Sequence, residues 1–72
     1  MPAMTVTELD WKPGPGSVLS AWMGFWELTV RPAYGGDWNF QITNPMGDCL
    51  TGHRVSQAVA IADCHEMAER LT

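Results

Sequence analysis

From Phe25 to Arg31 the chain alternates residue by residue, with Trp26, Leu28 and Val30 on one side and Phe25, Glu27, Thr29 and Arg31 on the other. Alternation in aromatic and β-branched residues predicts a strand with one buried face. A turn segment, Pro32-Ala33-Tyr34-Gly35-Gly36, separates it from a second alternating run, Trp38-Asn39-Phe40-Gln41-Ile42-Thr43, so the two read as a hairpin. Pairing Arg31 with Asp37 sets Val30 opposite Trp38, Leu28 opposite Phe40 and Trp26 opposite Ile42.

Asn44-Pro45-Met46-Gly47-Asp48 places Pro where a type I turn fixes φ and Gly where a following bulge requires positive φ. A third strand, Cys49 to Val55, then sets Thr43 against Cys49, Ile42 against Leu50, Phe40 against Gly52 and Trp38 against Arg54. In that register the Phe40 ring covers bare Gly52 and Arg54 stacks on Trp38. Cys49, Thr51 and His53 point to the opposite face, beside Thr43, Gln41 and Asn39.

Ser56 is a good N-cap, and beyond it Ala60, Ile61, Cys64, Met67, Ala68 and Leu71 recur at helical spacing. Residues 56–71 therefore read as an amphipathic helix with Asp63, Glu66 and Arg70 outside, Glu66 and Arg70 being spaced as an i,i+4 pair. Alanines at 58, 60, 62 and 68 let it lie close to a sheet. Residues 1–24 read as an N-terminal arm or edge strand. Pro13-Gly14-Pro15-Gly16 interrupts it; Ser17 to Met23 suits a helical turn capped by Ser17 and equally a strand running into the next element, and the favoured reading is a loop or single turn leading into the strand that begins near Phe25. The expected fold is a single α+β domain: a three- or four-stranded antiparallel sheet over 25–55 with one C-terminal helix on one face.

At 72 residues a single core is only marginally sufficient, so four Trp, two Phe and one Tyr must supply much of the buried area. Eight acidic against four basic residues give a net charge of -4, and the pI is about 4.7. That balance disfavours direct contact with nucleic acid and suits a protein partner with a basic surface. No apolar run approaches the ~20 residues of a membrane span, and Met1-Pro2-Ala3-Met4 has no export signature, so a cytoplasmic chain with reduced thiols is expected.

Asp63-Cys64-His65-Glu66 suggests chemistry when read as letters, yet four consecutive helical residues point in four directions and cannot converge. Cys49 and His53, four apart on a strand, are separated by about 13 Å and cannot share one metal ion. The expected register also puts Cys49 and Cys64 on opposite sides of the sheet, out of disulfide reach. Gly35-Gly36 and the Pro-Gly run are turn chemistry and not phosphate loops. No catalytic, metal or cofactor-binding residue is assigned.

Three surfaces remain for a partner: the free sheet face with Asn39 and Gln41, an apolar group of Trp11, Leu19, Trp22 and Met23, and the acidic helix side at Asp63, Glu66 and Glu69. Large apolar residues left over in so small a chain either fold back as a cap or form an exposed patch. The plan over roughly residues 25–72, Trp-rich strands closed by an Ala-rich helix, resembles many very small proteins of bacteriophages and mobile elements. The resemblance implies a non-enzymatic inhibitor of a host or defence complex that handles nucleic acid, as anti-CRISPR proteins are. It is one of plan and carries over no functional residue. The alternative is a small-molecule or nucleotide-binding homo-oligomer with Trp22 and Met23 at the subunit contact.

Overall fold

The computed structural model describes residues 9–71. Five strands form one antiparallel sheet in chain order: β1 (Lys12–Pro13), β2 (Leu19–Met23), β3 (Trp26–Pro32), β4 (Trp38–Thr43) and β5 (Cys49–Arg54). A single helix, α1 (Gln57–Leu71), packs across β3, β4 and β5. The expected α+β architecture is present with five strands in place of three or four. The additions come from residues 1–24, expected to be an arm or edge strand with a loop or single turn before Phe25.

Leu19 to Met23 is a strand because Gly24 takes φ +62 and makes a two-residue hairpin turn with Phe25, setting Met23 against Trp26. Glycine at the first central position is the requirement of a II′ turn, whose twist suits strand pairing. Phe25 is therefore a turn residue, 81% exposed, and not the first position of the strand. Ser17 caps no helix, since Pro15–Ser17 form a short 3-10 turn before β2.

The β4–β5 register is the expected one, with Thr43 opposite Cys49, Ile42 opposite Leu50, Phe40 opposite Gly52 and Trp38 opposite Arg54. Asn44-Pro45-Met46-Gly47 closes as anticipated: the Gly47 amide donates to Asn44 O at 3.0 Å, Gly47 has φ +91, and the Asn44 amide donates to Asp48 O. The Asn44 side chain adds bonds from the Met46 and Asp48 amides.

The β3–β4 register differs by two residues. Pro32, not Val30, lies opposite Trp38; Val30 faces Phe40 and Leu28 faces Ile42. The loop decides this, because Gly35 and Gly36 both take positive φ and the Ala33 amide closes onto Asp37 O at 2.7 Å. A shift of two keeps every side chain on its face, so the apolar pattern cannot distinguish the registers.

The core is Leu28, Val30, Phe40 and Ile42 from the sheet and Ala60, Cys64 and Ala68 from the helix, all essentially inaccessible. The three helical residues recur every four positions, forming a stripe of small side chains that allows close approach. Leu9, Trp11, Leu19, Met23, Trp26, Trp38, Ile61 and Met67 close its borders. Ser56 caps the helix, its Oγ accepting from the Val59 amide at 3.3 Å.

Phe40 is the centre of this layer. Its ring lies over Gly52, and Arg54 covers the ring with its guanidinium 5.1 Å from the centroid, where stacking on Trp38 was expected. Asp63 of the helix accepts from Arg54 Nε at 2.6 Å, tying β5 to α1. A Cβ at position 52 would overlap the Phe40 ring. Gly52→Ala is expected to lower unfolding free energy by about 1–3 kcal/mol through overpacking, measured by urea denaturation. An unchanged midpoint would show that the ring is free to move.

Candidate functional site

Strand pairing assembles the sheet's outer face into rows. Trp22, Glu27, Thr43 and Cys49 form one; Lys12, Ser20, Thr29, Gln41 and Thr51 the next; Arg31, Asn39 and His53 a third. Asn39 and Gln41, singled out from the sequence, thus share one surface with Trp22. Trp11 and Met23 do not, because they pack at the border of the core. The apolar group anticipated from the sequence is divided: Trp11, Leu19 and Met23 fold inward, whereas Trp22 is 62% exposed beside the exposed turn residue Phe25.

The third row is fixed by His53. Its Nδ1 lies 2.7 Å from Asn39 Oδ1 and its Nε2 lies 2.8 Å from Asp37 Oδ2. A neutral imidazole donates one hydrogen bond only. The ring either is protonated and donates to both oxygens, or donates to Asp37 and accepts from an Asn39 amide turned end for end. Both arrangements hold the ring and leave no nitrogen free to act as a base.

Beside it a shallow depression of about 470 Å³ is lined by Arg31, Asn39, Gln41, Thr51 and His53. Lys12, Arg54 and Arg70 have carboxylate partners in Asp10, Asp63 and Glu66, so Arg31 is the one Lys or Arg side chain without an ion pair among the described residues. From the second row to the first, Gln41 Nε2 donates to Thr43 Oγ1 at 3.1 Å and reaches Cys49 Sγ at 3.4 Å. These contacts hold a hydrogen-bonding surface in place and align no nucleophile with a base.

On the acidic helix side, two of the three carboxylates have arginine partners. Asp63 is held by Arg54, Glu66 by Arg70 one turn on, and Glu69 lies 3.4 Å from His65 Nε2. The Arg54–Asp63 bond joins residues nine apart across the strand-to-helix connection, and the sequence carries no local signal for it. No group of three or more His, Cys, Asp or Glu side chains placed to hold a metal ion occurs among the described residues, and none of the described helices is long and apolar enough to cross a membrane.

The two thiols lie on opposite sides of the sheet as the register requires: Cys49 exposed on the outer face, Cys64 buried against the core, both free. Burial pushes the Cys64 thiol up from 9.0 to about 12. No protein-family model, curated protein or solved structure matches the chain, so its reading rests on its own geometry.

The raised Cys64 value has a signed consequence for stability. The folded chain holds this proton more tightly than the unfolded chain, so the contribution is complete below pH 9.0 and is lost as pH rises toward 12. Urea midpoints are expected to be level between roughly pH 7 and 8.5 and to fall above 9, with Cys64→Ala removing part of that fall. An identical alkaline slope in the variant would show that the thiol is not sealed.

Proposed function

We propose that the protein is a small non-enzymatic binding module that docks a protein partner on the open outer face of its sheet, with Trp22 and Phe25 as the apolar anchor. The observation that carries this reading is the exposure of those two large side chains at one corner of a face that no described element covers. The helix has closed the other face, and Trp22 lies outside the core cluster and its borders. Exposed Trp is enriched where interfaces concentrate their energy.

The rest of the face supports recognition more than catalysis. Asn39, Gln41, Thr43 and Thr51 offer donors and acceptors with little charge, and Arg31 supplies one uncommitted cation. Such a surface suits the mixed polar rim of a protein contact. The net charge of -4 favours a partner whose surface is basic, and an inhibitor of a nucleic-acid-handling complex is the specific form proposed.

Asp63 and Glu66, being paired within the chain, contribute less field than their number suggests. The Trp22–Phe25 corner is therefore the principal contact. In pull-downs from host lysate, Trp22→Ser with Phe25→Ser is expected to weaken capture of a basic, nucleic-acid-handling partner by at least roughly tenfold. Reversing Asp63, Glu66 and Glu69 together has the smaller effect. Capture that survives the double substitution, with the fold intact by circular dichroism, would remove this surface.

A further inference from the structure

The two edges of the sheet are built differently. β1 is two residues long and ends in Pro13, which has no amide to donate, so that edge is blunt. β5 is six residues long and contains neither Pro nor Lys, and no described element pairs with its outer side.

The hydrogen-bond alternation says which of its groups are free. The Asn44 amide bonds Asp48 O, which makes that pair hydrogen-bonded. Counting along the ladder, Leu50, Gly52 and Arg54 then bond to β4, while Cys49, Thr51 and His53 turn their N–H and C=O groups outward. The His53 carbonyl is found on that side, accepting from Arg54 Nη1 at 2.7 Å. A carbonyl has two lone pairs, so it retains capacity for a second donor.

We infer that this edge pairs with a second copy of the chain, β5 against β5, antiparallel about Thr51. Directly opposed residues must lie on the same face of a continuous sheet, so the two-fold axis passes through a residue and not between two. Outward groups then meet outward groups for an axis at any residue of β5, and centring on Leu50 or Gly52 pairs only two of the three outward residues with one another. Centring on Cys49 runs the strand into the Asn44–Asp48 turn, and centring on His53 runs it into the start of α1. Only Thr51 engages all three, setting Thr51 against the partner's Thr51 and Cys49 against the partner's His53, for about six main-chain hydrogen bonds.

The helix-side residues fit the same register. Leu50, 41% exposed at the edge, comes opposite the partner's Gly52. The apolar side chain meets a residue without one. Asp48, which has no ion pair among the described residues, comes opposite the partner's Arg54. The contact is isologous, so each complementarity occurs twice. It does not depend on the Trp22–Phe25 corner and leaves that corner exposed on both copies.

Sedimentation equilibrium from about 10 μM to 1 mM is expected to show mass rising from the 8.0 kDa chain toward twice that value. Thr51→Pro removes the outward amide at the axis without touching the β4 ladder, so it is expected to stay at one-chain mass while unfolding cooperatively. In a Cys49→Ser background, Thr51→Cys is expected to oxidise to a disulfide-linked pair, since Cα atoms in a hydrogen-bonded pair lie about 5.5 Å apart. One-chain mass for the natural sequence across the whole range would overturn the inference. So would a dimer that survives Thr51→Pro and is abolished by Trp22→Ser, or failure of the Thr51→Cys pair to cross-link.

Discussion

The fold depends on one contact: the stripe of Ala60, Cys64 and Ala68 pressed onto Leu28, Val30, Phe40 and Ile42. Small side chains on the helix bring the backbone near the sheet, and the large sheet residues supply the buried area. Burying four such side chains is worth roughly 1.5–3 kcal/mol each before conformational entropy is counted. In a chain this short the margin is thin. The Phe40 ring over Gly52 and the Arg54–Asp63 bond fix how β5 and α1 meet around that centre. Once the helix has taken one face, no described element covers the other, and the proposed docking surface follows from the same constraint that holds the chain together.

Much of this is legible in the sequence. Alternation over Trp26–Val30 and Trp38–Thr43 identifies the buried face without reference to register, and the Pro45 and Gly47 positions specify the turn that sets β5. What failed was a choice to which the pattern is blind. A two-residue shift between β3 and β4 preserves every face, so only the backbone of Ala33 to Asp37 selects the pairing. β2 was obscured for another reason: Trp22 is apolar yet faces outward, so Leu19, Ala21, Trp22 and Met23 show no clean period of two.

The candidate surface was legible in the same uneven way. Asn39, Gln41, Thr51 and His53 follow directly from strand parity, and so does the separation of Cys49 from Cys64. The bracing of His53 by Asp37 and Asn39 is not visible in sequence, because it needs a loop carboxylate placed beside the outer strand. Nor is the division of Trp11 from Trp22, which depends on β2 being a strand with two faces.

The central claim is that the sheet separates a sealed side from an open one, and its two cysteines report on both. Brief labelling of the native protein with a thiol reagent, followed by peptide mass mapping, measures this directly. The account predicts rapid modification of Cys49 and protection of Cys64 until the chain is unfolded in denaturant. Equal labelling of both residues under native conditions would contradict it.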